Sequence, residues 1–194
     1  MFVRRLLSQD ALRVAEIHCA AIKEGFLSSL GVDFLQKVYA VLAKSSSAFG
    51  FVYEINGKVE GFICGGANTK VFFKELIFKN GLFLARPLLK HLFSFATIKN
   101  IYENLFYAQK TGSNLPPAEI MSVAISDQMQ GQGVGKVLME QAVNEFKVRN
   151  IYEIKALTDE KNRASNKYYQ QAGFLLVNRL KHHGHYLNVY VLKC

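Results

Sequence analysis

The run Gln130–Lys136, which reads Gln-Gly-Gln-Gly-Val-Gly-Lys, constrains the fold more than any other segment of the chain. It lies between an apolar run at 119–126 and an amphipathic run at 134–149, a pattern that predicts a strand, a tight turn and a helix. Glycine permits the turn and lets a ligand approach the backbone closely. The amides of the first helical turn have no partners within the helix, and the helix dipole adds partial positive charge. The run therefore predicts an anion site, most simply for the pyrophosphate of a cofactor.

The glycine spacing fits neither of two common nucleotide-binding fingerprints. A dinucleotide-binding loop follows G-x-G-x-x-G, whereas this chain has Gly131-x-Gly133-x-Gly135. A P-loop carries serine or threonine after its Gly-Lys pair, and here Val137 follows Lys136. The spacing therefore favours a different phosphate-bearing ligand.

A second segment, 162–174, reads Asn-Arg-Ala-Ser-Asn-Lys-Tyr-Tyr-Gln-Gln-Ala-Gly-Phe. Together the two segments resemble the GCN5-related N-acetyltransferase (GNAT) superfamily, whose acetyl-CoA loop follows Gln/Arg-x-x-Gly-x-Gly/Ala and is matched by Gln130, Gly133 and Gly135. The family's later helix follows Asn-x-x-Ala-x-x-x-Tyr-x-x-x-Gly-Phe, and this chain differs from it by a serine at the alanine position. The resemblance is specific over 117–176 and looser over the N-terminal half.

The resemblance implies an α/β (α+β) fold, with a mixed, mostly antiparallel sheet, a splayed central parallel pair of strands and flanking helices. We expect one domain over residues 1–194. In the family, the pantetheine arm of acetyl-CoA inserts between the two parallel strands, here 119–126 and 151–158. The cofactor-binding residues that the resemblance implies are Val123, Ala124, Ile125, Gln130, Gly131, Gln132, Gly133, Val134, Gly135, Lys136, Asn162, Asn166 and Tyr169.

The same resemblance assigns candidate roles in acetyl transfer. Tyr169 is the candidate general acid for the departing thiolate, since phenol and thiol pKa values lie within about two units; the alternative is a core tyrosine. Glu119 is the candidate base, and the alternative is a salt-bridged carboxylate at a strand end. Asn162 caps a helix or contacts the cofactor, whereas Asn166, inside a helix where asparagine is disfavoured, points to a cofactor contact. His185 is the candidate acceptor-binding residue.

Three histidines, His182, His183 and His185, lie close together near the end of the chain. No carboxylate or cysteine pattern accompanies them, so we expect a solvated hairpin and no metal site.

The chain has three cysteines, Cys19, Cys64 and Cys194, which are odd in number and too widely spaced to predict a disulfide framework or a zinc site. This pattern favours a reducing cytoplasm.

The segment 68–110 is apolar and basic, and bare GNAT domains join the flanking strands with a short loop. We expect a helical insert there, with Pro87 at the start or a break of a helix. One interpretation is a cover over one sheet face. The others are an acceptor-site lid, a dimer surface, and a patch that contacts a membrane or a lipid-linked substrate.

The composition bounds the alternatives. Half of the 194 residues are hydrophobic, which argues against disorder. The net charge of +9 suits an anionic ligand, and the absence of any nucleic-acid motif leads us to expect no nucleic-acid partner. No signal-peptide core or apolar run long enough for a membrane span is evident. Helix starts are expected at Asp10 and Asp33 and a type I′ turn at Asn56-Gly57.

We therefore predict an acetyl-CoA-dependent N-acetyltransferase that acts on a primary amine of a small molecule, as a monomer or homodimer. The early run Phe26-Leu27-Ser28-Ser29-Leu30-Gly31, followed by Phe34-Leu35, is similar to a bacterial subgroup that implies an amino-sugar acceptor. Peptide N-termini and lysines remain open as acceptors, while the net charge disfavours polyamines. The alternatives are a longer-chain acyltransferase, a non-catalytic acetyl-CoA-binding module, and a membrane-surface or nucleic-acid adaptor.

Overall fold

The computed structural model describes residues 2–23, 26–88, 115–182 and 185–194. Within them, strands form one mixed sheet, and their bounds are β1 Phe2–Arg5, β2 Ala48–Ile55, β3 Lys58–Gly66, β4 Glu119–Ile125, β5 Glu153–Asp159, β6 Leu175–His182 and β7 His185–Lys193. The strands lie in the order β1-β2-β3-β4-β5-β7-β6, and all neighbours pair antiparallel except β4 and β5, which are parallel. The expected mixed, mostly antiparallel sheet with one central parallel pair is confirmed.

Helices cover both faces of the sheet, and their bounds are α1 Ala11–Ala21, α2 Phe26–Ser29, α3 Val32–Leu42, α4 Thr69–Leu88, α5 Val134–Val148 and α6 Arg163–Gln171. The buried side chains divide into two clusters. One joins the sheet to α1, α3 and α4, and the other joins it to α5 and α6. Helix α3 turns one apolar face toward the sheet, because Phe34, Val38 and Leu42 are all buried.

The carboxylates expected at the two helix starts in the N-terminal half cap neither helix, although α1 begins where the sequence predicts. Helix α1 begins after Asp10, but the Asp10 carboxylate accepts the Leu7 backbone N–H at 2.8 Å and pairs with Arg4 at 2.6 Å. The carboxylate is therefore committed to the preceding turn and to β1. Helix α3 begins at Val32 with Gly31 at its N-cap, so Asp33 lies inside the first turn and does not cap it.

The β2–β3 hairpin forms as the sequence predicts. Asn56 and Gly57 join the strands with φ values of 51° and 76°, both in the left-handed region that a type I′ turn requires. Strand β3 lies near the centre of the sheet, and its residues from Val59 to Gly66 are buried.

The C-terminal hairpin docks on the sheet through its second strand. Strand β7 pairs with β5 from Glu153↔Lys193 to Asp159↔Leu187, and β6 pairs only with β7 at the edge. Residues near the C-terminus therefore lie beside the central parallel pair.

Helix α4 occupies the first part of the segment predicted as a helical insert. It includes Pro87 next to the last described residue of this segment, so Pro87 does not begin this helix. The remainder of the 68–110 prediction falls on residues 89–110, outside the part of the chain that the structure describes. Among the described helices, none has both the length and the apolar character needed to cross a membrane.

Candidate active site

Strands β4 and β5 separate soon after they begin. Their parallel pairing is limited to Glu119↔Lys155 and Ile120↔Ala156, although β4 continues to Ile125 and β5 to Asp159. We call the space between residues 121–125 of β4 and residues 157–159 of β5 the cleft. Backbone N–H and C=O groups that leave a ladder need other partners, so the cleft suits an extended ligand that carries amides of its own.

A bulge in β4 coincides with the point where the cleft opens. Ser122 pairs with Cys64 and Ile120 pairs with Gly65, which leaves Met121 as an extra residue in β4. A bulge kinks its strand and changes the direction of neighbouring backbone groups. The kink therefore turns β4 while its opposite edge stays paired with β3.

The side chains of Val123, Ala124 and Ile125 alternate between the two faces of the sheet. Ala124 packs in the cluster under α1 and α3, whereas Val123 and Ile125 pack against the cluster under α5 and α6. The implied cofactor contacts at these positions are backbone contacts. The geometry of the cleft permits these backbone contacts, and they stay a prediction.

The glycine-rich run forms a tight connection between β4 and α5. Gly131 and Gly133 have φ values of 74° and 81°, which glycine adopts without the strain that other residues incur. A Cβ atom at either position would meet no atom within 4 Å, so the space beside the loop is open. Gly133 is the N-cap of α5, and no side chain caps the helix there. The amides of its first turn, including that of Val134, therefore suit an anion.

Gly135 is required for a close contact with Tyr168. The Tyr168 Oη atom donates a hydrogen bond to the Gly135 carbonyl oxygen at 2.8 Å. A Cβ atom at Gly135 would lie 2.9 Å from Tyr168 Cε2 and 3.1 Å from Ile125 Cδ1. Tyr168 thus fixes the start of α5 against α6.

The polar side chains of the loop are exposed. Gln130 Nε2 donates to Asp127 Oδ1 at 3.0 Å, and Gln132 Nε2 donates to the Gln128 carbonyl oxygen at 2.8 Å. Lys136 extends from the first turn of α5 with its nearest carboxylate, Glu140, 4.0 Å away. These side chains are accessible to an anionic ligand.

Tyr169 lies on the face of α6 that packs on the sheet. Its ring stacks on Tyr190 of β7 with centroids 5.8 Å apart and meets Phe174 edge-on at 5.4 Å. The residue is 4% exposed, and burial raises the pKa of its phenol, so the proton stays on Oη at neutral pH. The larger pKa makes the phenol a weaker acid than the sequence argument assumed, and its role as proton donor stays a prediction.

The two asparagines of α6 are both hydrogen-bonded within the protein. Asn162 Oδ1 accepts the Ser165 N–H at 3.0 Å, the N-cap contact that the sequence left open beside a cofactor contact. Asn166 Oδ1 accepts from Asn188 and Tyr190, and its Nδ2 donates to backbone carbonyls. A cofactor contact by Asn166 would replace one of these bonds.

Glu119 forms an ion pair where β4 and β5 are still joined. Its Oε2 atom lies 3.5 Å from Lys155 Nζ and accepts from Thr69 Oγ1 at 3.4 Å. Lys155 is 3% exposed and also donates to the Pro116 carbonyl oxygen at 2.6 Å. Burial raises the pKa of Glu119 against the opposing effect of Lys155. The structure thus shows the salt-bridged alternative, and a role as base stays a prediction.

His185 is the first residue of β7 and is exposed. Among the described residues, it contacts no other predicted site residue. His183 lies outside the described residues. The role of His185 in acceptor binding stays a prediction.

Sequence reasoning did not single out Lys155, Asn188 or Tyr190. Lys155 lies in the apolar run Ile154-Lys155-Ala156-Leu157, and Asn188 lies in the apolar strand β7. A lysine or asparagine inside a buried strand requires a polar partner. A polar residue within an apolar strand therefore indicated a buried polar contact at these positions, but the sequence does not identify the partner.

Comparisons with known proteins agree on the fold. The N-acetyltransferase of Staphylococcus aureus Mu50 has a TM-score of 0.65 at 17% identity, over 99% of this chain and 97% of that one. The ribosomal-protein-alanine N-acetyltransferase of Brucella melitensis has a TM-score of 0.65 at 14% identity, over all of both chains. The Salmonella typhimurium protein yncA, whose structure was determined with its cofactor acetyl-CoA, has a TM-score of 0.63 at 16% identity, over 99% of this chain and 92% of that one. A comparison with curated proteins finds no match.

A family model gives the assignment. The model of the acetyltransferase (GNAT) family matches residues 15–174, which include the cleft, the glycine loop and α6. Acetyl-CoA is the cofactor of this family, and the cleft and glycine loop fit its amide-bearing arm and its pyrophosphate. By this match over most of its length, the chain belongs to the GNAT family of acetyltransferases.

Proposed function

We propose that this protein is an N-acetyltransferase that moves an acetyl group from acetyl-CoA to a primary amine of a small molecule, with an amino sugar as the first acceptor class to test. The observation that carries the proposal is the cleft between β4 and β5, which opens at the β4 bulge and ends at the glycine loop. The continuous sheet supports one acetyltransferase domain over the chain.

Acetyl-CoA supplies the acetyl group as a thioester. In our proposal, the first-turn amides of α5 bind the pyrophosphate, with Lys136 adding positive charge. The backbone of Val123 and Ile125 binds the pantetheine amides, and the N–H groups near Ala124 polarise the thioester carbonyl.

The neutral amine attacks the thioester carbon with both substrates bound together, and the C–N bond forms as the C–S bond breaks. The proton that the nitrogen loses passes to Glu119, directly or through water, and the departing sulfur takes a proton from Tyr169.

Tyr169 holds the proton that the departing sulfur needs. Burial raises the pKa of Tyr169, so its phenol remains protonated across the range in which an amine acceptor reacts. Burial also raises the pKa of a thiol, and a sulfur shielded in the same place is more basic than one in water. The pKa of the phenol and the pKa of the shielded thiol therefore move in the same direction, so the energy of proton transfer from Oη to sulfur changes less than the shift in either pKa alone.

The binding site is tested by calorimetry with acetyl-CoA and CoA. Gly133→Asp adds a negative charge where the anion is expected and a side chain where φ is 81°. Gly57→Asp is the matched control, because Gly57 also has a positive φ of 76° and an open surrounding but lies in the β2–β3 turn. We expect a loss of affinity of at least about 100-fold for Gly133→Asp and little change for Gly57→Asp. No binding to the wild type would refute the proposal.

Turnover is tested by an acceptor screen with acetyl-CoA and longer acyl-CoAs. Tyr169→Phe should retain cofactor binding and lower kcat by about 100-fold, since general acid catalysis contributes about that factor. Equal kcat values for wild type and Tyr169→Phe would remove Tyr169 from the mechanism. A preference for long acyl chains would replace acetyl transfer by the longer-chain alternative.

A further inference from the structure

A polar cluster beside Tyr169 connects α6 to β7, and the proposed chemistry does not use it. Asn166 Oδ1 accepts hydrogen bonds from Asn188 Nδ2 at 2.7 Å and from Tyr190 Oη at 2.8 Å. Asn188 and Tyr190 are buried on β7, two residues apart and on one face of the strand. One oxygen of α6 thus binds two side chains of the neighbouring strand.

The donor side of the Asn166 amide is also occupied. Its Nδ2 atom donates to the carbonyl oxygens of Asn162 at 2.7 Å, Asp159 at 2.9 Å and Glu160 at 3.3 Å. These carbonyls lie at the end of β5 and in the connection to α6. The side chain therefore links β5, α6 and β7, which explains an asparagine within a helix where it is otherwise disfavoured.

Tyr190 connects this cluster to the candidate proton donor. Its ring stacks on the Tyr169 ring with an interplanar angle of 29°, while its Oη atom bonds to Asn166. Gln170 Nε2 donates to the same Oη atom at 3.4 Å. Any rotation of the Tyr190 ring therefore breaks the bond to Asn166 or disturbs the stack on Tyr169.

We propose that Tyr190, held by its hydrogen bond to Asn166, is a positioning residue that fixes the Tyr169 phenol for proton donation at the cleft. The inference rests on the proposed role of Tyr169. Proton donation depends on placement, and a displacement of about 1 Å can cost about 100-fold in rate. Tyr190 acts through the Tyr169 ring and has no proton-transfer role of its own.

The first test observes Tyr169 directly in the cofactor-free protein. 3-Fluorotyrosine is placed at position 169, and its ¹⁹F resonance is recorded in wild type, Tyr190→Phe and Asn166→Ala. Tyr186→Phe is the matched control, because Tyr186 lies on the same strand and is 44% exposed. We expect one narrow resonance in wild type and control, and a shifted or broadened resonance in the other two. An unchanged resonance in both variants overturns the proposal.

The second test separates positioning from general destabilisation. Tyr190→Phe and Asn166→Ala should each lower kcat by about tenfold, and Tyr190→Phe should change the KM for acetyl-CoA by less than about threefold. In a Tyr169→Phe background the same changes should lower kcat by less than about twofold, because the residue they position is gone. Equal losses in both backgrounds overturn the proposal, whatever the thermal stability of the variants.

The two tests also distinguish this inference from the proposed function. If the wild type binds acetyl-CoA but transfers no acetyl group, the proposed function fails while the ¹⁹F test still shows whether Tyr190 orders Tyr169. If Asn166→Ala does not fold, Tyr190→Phe remains informative, because it keeps the ring and loses only Oη.

Discussion

Strand β4 has two edges that differ in how far they are paired. Its edge toward β3 is paired along the strand, from Glu119↔Gly66 to Ile125↔Gly61, with the bulge at Met121 accommodated. Its edge toward β5 is paired at only two positions. The same seven residues therefore contribute a complete ladder on one side and an open cleft on the other.

Because the two edges of β4 differ in pairing, we expect one edge to contribute to the stability of the fold and the other to ligand binding. A strand with an incomplete ladder at the edge of a sheet tends to fray or to pair with another chain. Here β3 holds β4 from one side and β7 holds β5 from the other, so both strands stay in place while they diverge. Changes at the paired edge should mainly alter the free energy of unfolding, and changes at the cleft should mainly alter ligand affinity.

The largest effect is expected where the two edges meet, at the ion pair of Lys155 and Glu119. Lys155→Met leaves the Glu119 carboxylate without its cation in a largely buried position. We expect a loss of about 3 kcal/mol in the free energy of unfolding near neutral pH, measured in urea. A loss below about 0.5 kcal/mol would show that the pair does not hold the strands together.

The pH dependence of the same variant identifies the carboxylate as the cause. Burial raises the pKa of Glu119 above its usual 4.5, so protonation favours the folded state and this contribution is lost as pH rises through the folded pKa. Lys155→Met removes a cation that opposes the shift. The deficit of the variant relative to wild type should therefore shrink as pH falls from neutral toward the usual carboxyl pKa. Adding Glu119→Gln to Lys155→Met should abolish this pH dependence. If the stability deficit of Lys155→Met did not depend on pH, its cause would be lost packing rather than the unpaired carboxylate.

The next effect concerns the paired edge. A Cβ atom at Gly65 would lie 2.9 Å from Phe146 Cζ and 3.0 Å from the Glu119 carbonyl oxygen. Gly65→Ala should therefore lower the free energy of unfolding by about 2 kcal/mol through overpacking. The neighbouring Gly66→Ala is the matched control, because its Cβ would meet ordinary contacts of 3.5 Å or longer. Similar losses for both variants would contradict the packing argument.

A smaller effect is expected at the end of the cleft. Gly135→Ala forces apart Tyr168 and the start of α5, and we expect the Kd for acetyl-CoA to rise about tenfold by calorimetry. Tyr168→Phe keeps the ring and removes only the 2.8 Å hydrogen bond to the Gly135 carbonyl, worth about 1 kcal/mol net to folding. Unchanged affinity in Gly135→Ala would mean that the exact placement of this turn does not matter for binding.

The smallest effect should come from Lys136. Its side chain is 81% exposed and lies 4.0 Å from Glu140, so Lys136→Gln should leave the unfolding midpoint unchanged. We expect a rise in Kd of about twofold that disappears when salt is added, because screening removes an exposed charge interaction. Lys193→Gln, which removes an equally exposed lysine paired with Glu153, should change the Kd at neither salt concentration.

Local patterns in the sequence predict much of this fold. Helix α5 begins and ends where the apolar periodicity and the glycine run place it, and the Asn56-Gly57 turn has the conformation that its residues favour. Asp10 is the contrary case. Its type and position suit a helix cap, but Arg4 in the adjacent strand offers a charged partner that no local pattern reveals.

The cleft depends on information that is less local still. The sequence does not state that β4 and β5 part after Ile120, because strand residues look alike whether their backbone is paired or not. Family resemblance supplied the expectation, and the pairing register confirms the separation. The partners of Asn166 likewise come from β7, more than twenty residues away, so its helical position indicated an unusual role without indicating Tyr190.

The place of β7 between β5 and β6 has a consequence for the order of events during synthesis. The β1–β4 part of the sheet, the glycine loop and α5 are complete in sequence by residue 148. The second edge of β5, by contrast, is covered by β7 only after residues 185–193 have emerged from the ribosome. Tyr169 meets its stacked partner only then, so the nascent protein completes its glycine loop before the ring of the proposed proton donor is packed in place.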